Sequence, residues 1–420
     1  MFTSFSTALS ALNATTTAID VVGNNLANLN TPGFKTSQVC FRDLMTQSIG
    51  TGMGETQIGF GTGTPVTVRE FTQGAIQTSG GLLDAAIQGD GFFVLKGAQG
   101  NTLYTRAGNF QTDKDGNLIT DTGNFVQGWT AFNPTTGTVD TNGPIGNIKV
   151  PLGSLRSPVS TSNITVDLNL NSSSAADSTS AFTAPLTVQD SLGVSHILTL
   201  NFQKTGTNQW SYTVTIPGED VSGGTAGTPF ATGATGTLTF GPDGRLTDPA
   251  AGAPIAIAVT GLADGASDMN IDWDLYNSAA GRITQFGQPS ATSASTQNGK
   301  GADPPVRIGL ADGGEILANY ANGDQVVVGR VALASIRNPD SLTATGNNAF
   351  QLSGRTASPG IGLPGTGGRG TIVGGSVEAS TVDIAKEFTN LIVYQRGYEA
   401  NSKVVTTSDQ ISQDTINLIR

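Results

Sequence analysis

A chain whose two ends carry helical stripes, and whose interior is crowded with glycine, has few ways to fold. Near the C-terminus Ile384, Phe388, Leu391, Tyr398 and Val405 fall on one stripe. Val404, Ile411 and Leu418 continue the seven-residue spacing beside it, and neither Gly nor Pro interrupts the run after Gly397. At the other end Phe2, Phe5, Leu9, Leu12, Thr16, Ile19 and Leu26 follow alternating three- and four-residue steps, with Val22 and Leu29 close to the same face. Each stripe predicts an amphipathic helix with a face to bury. Helices of these lengths are marginal alone in water, because packing and not propensity supplies most of their stability. The ends therefore need each other or need neighbouring molecules.

Between them lies a different kind of chain. The 420 residues include 56 glycines, with 37% apolar and only 13% charged residues, a balance that fits many short strands joined by turns. Alternating runs carrying Phe, Trp, Tyr, Ile and Val through the middle argue against wholesale disorder. The net charge of -11, from 21 basic and 32 acidic residues, comes with no basic stripe or aromatic-plus-basic platform, which speaks against nucleic-acid binding. The single cysteine, Cys40, excludes an intramolecular disulfide. Residues 1–30 have no basic leader and no continuous apolar run, so they do not read as a cleaved signal peptide. No stretch reaches the roughly 18 apolar residues that cross a bilayer, so no membrane insertion is expected.

The first helix should stop at Thr31-Pro32-Gly33. Asn24, Asn25, Asn28 and Asn30 crowd its end, either as frayed caps or as amides that hydrogen-bond across a helix interface. Strand signals follow at 66–71, 82–88, 92–95, 103–110, 118–120 and 124–129, and resume from 306 to 336. Residues 151–281 change character to a Ser/Thr/Asn-rich, all-β stretch. The predicted fold class is mixed: N- and C-terminal α-helices form a coiled-coil-like layer, and mainly β middle domains lie between, one inserted into the other. The expected division is a paired helical domain at 1–34 and 376–420, an extended Gly-rich connector at 35–70, a discontinuous β domain at 71–150 and 282–375, and an inserted outer β domain at 151–281.

Catalysis has no credible nucleus in the sequence. His196, the only histidine, sits in an alternating strand without a nucleophile motif, and reads as a packed or exposed strand residue. His196 and Cys40 cannot by themselves furnish a conventional zinc set. Asp113-Lys114-Asp115-Gly116-Asn117 shares some oxygen spacing with a calcium loop but lacks its terminal Glu, and reads as a hairpin turn. Gly52, Gly54, Gly59, Gly61 and Gly63 follow no buried strand and precede no Gly-Lys-Ser/Thr, so they form no phosphate loop. No catalytic residue, metal or cofactor is expected.

The run Asn24-Asn25-Leu26-Ala27-Asn28-Leu29-Asn30-Thr31-Pro32-Gly33-Phe34-Lys35 resembles the axial proteins of the bacterial flagellum, the hook proteins in particular. So do Phe71-Thr72-Gln73-Gly74, Gly89-Asp90-Gly91-Phe92-Phe93, Tyr104-Thr105-Arg106-Ala107-Gly108-Asn109-Phe110 and Asp115-Gly116-Asn117-Leu118, in order. Near the end, Gly375-Ser376-Val377-Glu378-Ala379-Ser380-Thr381-Val382-Asp383 and Tyr394-Gln395-Arg396-Gly397-Tyr398-Glu399-Ala400-Asn401 resemble the entrance and interior of the family's C-terminal helix. Rod proteins resemble shorter versions, so the insertion favours a hook subunit over a distal-rod subunit. A secreted β-rich adhesin is the reading from another class.

The resemblance implies type III export and a homopolymeric, extracellular helical tube that transmits torque, with the distal rod protein, hook cap, hook-filament junction protein and export apparatus as partners. It also implies an inner layer of paired terminal helices. The expected assembly residues are Leu9, Leu12, Asn24, Asn25, Leu26, Asn28, Phe388, Leu391, Tyr398, Val405 and Ile411.

Overall fold

The computed structural model describes residues 2–44, 46–49, 56–133, 138–153, 155–278 and 280–418. Gly52 and Gly54, in the first part of the expected connector, lie outside them. Among the described residues two long helices appear, α1 (Phe2–Ala27) and α2 (Ile384–Leu418), and the elements between are strands and short 3-10 turns. The fold is mixed, with paired terminal helices and β structure between them.

Helix α1 tolerates Thr15, Thr16 and Thr17 because each hydroxyl bonds back to the carbonyl four residues earlier, at 2.7, 2.9 and 3.1 Å. The turns that follow it close at Gly33, whose φ of 69° suits glycine and where a Cβ would lie 2.6 Å from the Ala107 nitrogen. Helix α2 is capped by Asp383, whose Oδ1 accepts from the Ala385 and Lys386 amides at 2.8 and 3.2 Å. It thus starts later than the expected entrance at Ser376, since Ser376–Glu378 is spent as a strand antiparallel to Ile76–Thr78.

The two helices pack against each other. In α1 Ala8, Thr15, Ala18 and Val22, all buried, step by threes, fours and sevens, with Ala14 buried beside them. In α2 the half-buried positions Leu391, Tyr394, Gly397, Asn401, Val405, Ser408, Ser412 and Thr415 do the same. The seam is therefore lined mostly by small and polar side chains, which let two backbones approach closely. The large residues are displayed instead: Phe5, Leu9, Ile384, Phe388, Ile392, Val393, Tyr398, Val404, Ile411 and Ile416 are all exposed.

Residues 35–70, expected as an extended connector, contain two antiparallel pairs. Ser37–Cys40 pairs with Val66–Arg69, and Thr46–Ile49 pairs with Thr56–Gly59. The Phe41 ring meets Tyr394 of α2 at a centroid distance of 6.0 Å.

The chain divides into two compact units, residues 1–152 with 306–319 and 323–420, and residues 153–305 with 320–322. The first unit's sheet has 13 strands, and its main path runs 305–310, 315–320, 325–331, 125–129, 92–96, 102–105, 349–351 and 343–346. Phe92–Lys96 is buried on both faces. Phe93 and Leu95 join the core of Ala85, Ile87, Leu118, Val126, Ile148 and Val331, while Phe92 and Val94 join Tyr104, Ile336 and Phe350. Phe110–Thr112 pairs with Leu118–Thr120 across an Asx turn in which Asp113 Oδ1 accepts from the Asp115 and Asn117 amides. The expected hairpin is thus present at the sequence that shares calcium-loop spacing.

The second unit contains two five-stranded sheets. One is the antiparallel ladder 182–189, 195–206, 209–217, 229–240 and 246–248. The other joins 255–259, 269–274, 163–169 and 283–284, with 291–297 also on 163–169. Strict alternation along Asn163–Asn169, Ser195–Gly206 and Gln209–Pro217 sends one face of each strand into a core around Trp210 and Trp273. This unit runs past the expected boundary at 281, because Ala291–Gln297 completes a ladder with Asn163–Asn169.

Candidate functional site

The signature segments converge at the base of the helices, around the buried Glu378 carboxylate. Its Oε1 accepts from Lys35 Nζ at 2.6 Å and from the Gly74 amide at 2.7 Å, and Arg106 Nη1 stands 3.4 Å from Oε2. Lys35 Nζ also donates to the Thr72 carbonyl at 2.5 Å, and Arg106 Nη2 to the Gly89 carbonyl at 2.8 Å. The Arg106 guanidinium lies over the Phe92 ring, 5.4 Å from its centroid.

Local structure holds each group in place. Glu378 sits at the end of the strand paired with Ile76–Thr78, and the Gly33 amide donates to its carbonyl at 2.7 Å. Gly74 comes so near the entrance to α2 that a Cβ would lie 2.2 Å from the Ala379 carbonyl oxygen. Thr36 and Thr381 bond through their hydroxyls at 2.9 Å, and the Thr36 amide donates to Thr381 Oγ1 at the same distance. Asn348 Nδ2 donates to the Pro32 carbonyl at 2.8 Å.

The Lys35 and Glu378 side chains have no exposed surface, and that of Arg106 keeps 4%. Burial pushes the Lys35 ammonium below its ordinary pKa; Glu378 opposes that shift, while Arg106 adds to it. Arg106 is likewise pushed down by burial, with Glu378 and then Asp90 holding its charge. One carboxylate thus serves two buried cations, with further bonds to backbone. Removing the shared anion would leave both cations uncompensated, a loss of about 3–5 kcal/mol. The arrangement is a rigid joint that welds both chain ends to the β body.

Among the residues expected at an assembly interface, Leu9, Phe388, Tyr398 and Ile411 lie on the outer surface of the helix pair, and Leu12, Leu26, Leu391 and Val405 are half-buried. Asn24 is exposed, and Asn28 donates to the Asn24 carbonyl at 2.9 Å. Asn25 differs from these. It is buried within its own chain, its Nδ2 donating to the Ser37 carbonyl at 2.9 Å and its Oδ1 accepting from the Ser37 amide at 3.1 Å. Buried to 1% and bonded to backbone on both sides, this amide is not displayed to a neighbouring molecule.

Sequence reasoning missed the joint, although Lys35, Arg106 and Glu378 each stand within a signature segment of a chain poor in charge. Two or more charged residues inside otherwise apolar and glycine-rich signatures were the available signal. His196 is a buried strand residue, and Ser195 Oγ bonds Gln189 instead of forming a nucleophile with it.

Comparison with known proteins places these features. Residues 5–35 match the flagella basal body rod protein family, and residues 86–173 match the flagellar hook protein FlgE/F/G D1 domain. Residues 161–300 match the flagellar basal body protein FlaE D2 domain, and residues 373–418 the C-terminal region of the flagellar basal body rod FlgEFG proteins. The flagellar hook protein FlgE of Escherichia coli (strain K12) is 33% identical over 425 residues, covering 99% of each chain. That of Borreliella burgdorferi is 34% identical over 444 residues, covering 100% of each. Flagellar hook protein FlgE2 of Helicobacter pylori shares the fold over 71% of this chain and 99% of its own, with a TM-score of 0.51 at 14% identity.

Proposed function

The chain belongs to the flagellar hook protein FlgE family, and on that premise we propose how its geometry serves a subunit of the bacterial flagellar hook. It is a structural, non-enzymatic protein of this extracellular appendage. Subunits polymerise into a hollow helical tube that works as a universal joint, carrying torque while it bends. The observation that carries this reading is the inverted helix pair, with small residues at its seam and Phe388, Ile392, Val393 and Ile411 outside. An apolar stripe of that length on a free chain awaits burial by copies of itself. The end-to-end match to hook proteins, inserted region included, sets aside the distal-rod reading and the adhesin reading.

The assembly surface comprises Leu9, Leu12, Asn24, Leu26, Asn28, Phe388, Leu391, Tyr398, Val405 and Ile411, and the paired ends line the tube. The Glu378 joint transmits load from that lining to the β body. Contacts between the inserted units of neighbouring subunits slide as the tube turns, because each unit has its own closed core and moves without unfolding. The four-part division into ends, connector, split β domain and insertion serves these separate duties.

The partners are other copies of the chain, the distal rod protein at one end, the hook cap protein and then the hook-filament junction protein at the other, and the flagellar type III export apparatus. Among the described residues no helix is long and apolar enough to cross a membrane. Cryo-electron microscopy of polymerised full-length protein tests the reading. A hollow tube with both helices in its inner wall is expected; chains that stay monomeric at high concentration, or tubes with the helices outside, would refute it.

A further inference from the structure

Three loops of the inserted unit close over His196, the only imidazole of the chain. Asp190 opens the turn between strands Phe182–Gln189 and Ser195–Gly206, Asp220 ends the 3-10 turn Gly218–Asp220, and Asp264 lies in the loop after strand Ile255–Val259. The loops are tied together: the Ser267 amide donates to Ser191 Oγ at 2.9 Å, and the Ala263 amide to the Asp220 carbonyl at 2.9 Å. Asp190 is fully buried and His196 nearly so.

The arrangement is that of a ligand set and its support. Asp190 Oδ1 is occupied by the Leu192 and Val194 amides, each at 2.8 Å, which turns Oδ2 towards His196 Nε2 at 3.2 Å. Asp264 Oδ1 accepts from the Ala266 amide, and its Oδ2 stands 3.8 Å from the same nitrogen. One ligand atom from each of Asp190, His196 and Asp264 lies within 4.8 Å of the others. A tetrahedral zinc site with bonds of about 2.1 Å separates its ligand atoms by about 3.4 Å, between the two distances seen at Nε2.

On the opposite side of the ring Asp220 Oδ2 is 3.0 Å from Nδ1. A carboxylate at Nδ1 is the arrangement that fixes the proton there and leaves the Nε2 lone pair for a metal. Charge points the same way. Even a protonated ring sets one positive charge against three carboxylates, one of them wholly inside the protein, and ionised carboxylates only accept hydrogen bonds.

We propose that the inserted unit binds one divalent transition-metal ion through His196 Nε2, Asp190 and Asp264, with Asp220 orienting the imidazole. One nitrogen and two carboxylate oxygens suit zinc and its neighbours better than calcium, which takes oxygen ligands in greater number. The ion staples the 190–196 turn to the 262–266 loop.

The test uses the full-length chain with Cys40→Ser, which removes the one thiol that competes for zinc, and titrates it with Zn2+ alone. Because there is one histidine, its two ring nitrogens give one pair of NMR signals. One Zn2+ per chain is expected, with the Nε2 signal shifted and Nδ1 still protonated. Asp220→Asn should weaken binding about 10-fold, and Asp264→Asn, at a partly exposed side chain, by at least about as much. A ring that keeps both protons in saturating Zn2+ overturns the proposal, leaving an imidazolium clasp. So does binding that is unchanged by Asp264→Asn, which would mean adventitious zinc elsewhere, and so does a site that takes Ca2+ in preference to Zn2+.

Discussion

The inserted unit and the terminal helix pair dispose of their large apolar residues in opposite ways. In the first, Trp210, Trp273 and Phe202 are fully enclosed, and Tyr212 and Phe202 meet Trp273 edge-on at 5.5 and 6.1 Å. In the second, Phe388 is 52% exposed and Leu9 46%, while alanine, serine and threonine occupy much of the seam. One region completes its core within a single chain, and the other holds its hydrophobic driving force in reserve for neighbours. On the assembly proposed above, the inserted unit is the finished part of the subunit and the helix pair the part that neighbours complete.

The comparison can be broken first at the joint between helices and body. Glu378→Ala should lower the stability of the larger unit by about 4 kcal/mol and abolish tube formation, because Lys35 and Arg106 lose their shared anion. Calorimetry should show the inserted unit's transition unmoved; a shift of both transitions together would mean that the two units are not independent. Leu200→Ala, in the closed core, should cost about 3 kcal/mol in monomer and polymer alike, read by denaturant melts of each.

Phe388→Ala sharpens the contrast from the other side. It should leave the monomer within about 0.5 kcal/mol of the parent, as surface changes do, yet destabilise the polymer by about 2 kcal/mol per subunit. Equal losses in both states would put Phe388 inside the chain's own core. The smallest effect belongs to Asp113 at its exposed turn, where the Asn117 side chain and backbone hold the carboxylate below its ordinary pKa. A depressed carboxylate contributes stability above its unfolded pKa and loses it as pH falls through the folded one. Asp113→Asn should therefore flatten the acid limb of the larger unit's stability curve slightly, and leave that of the inserted unit untouched.

Much of this architecture is legible in the chain. Period-two alternation marks the strands of the inserted unit, Phe92 to Leu95 reads as a buried strand, and Asp113 to Asn117 reads as a turn. The helices are legible as helices, but their orientation is not. A stripe of large apolar residues marks what must leave water, and says nothing about whether the same chain or another covers it. Leu9, Asn24, Phe388, Tyr398 and Ile411 face outward, whereas Leu12, Leu26, Asn28, Leu391 and Val405 are half-buried, and Asn25 is buried against the backbone of Ser37, a partner that carries no side-chain signal. The boundary at 281 missed strand Ala291–Gln297, whose small polar residues show little hydrophobic alternation. The Glu378 joint shows in the sequence only as charges set within apolar and glycine-rich signatures, because charge pairing between distant positions leaves no periodicity to read.

That distance has a consequence for time. Lys35 and Glu378 stand 343 positions apart, and Arg106 and Glu378 stand 272 apart. Closing such a loop is entropically slow, and it cannot begin before the tail of the chain is present. A subunit truncated before Glu378 would have to bury two cations with nothing between them, so it stays soft at the base of its helices and offers the growing tube no rigid foothold.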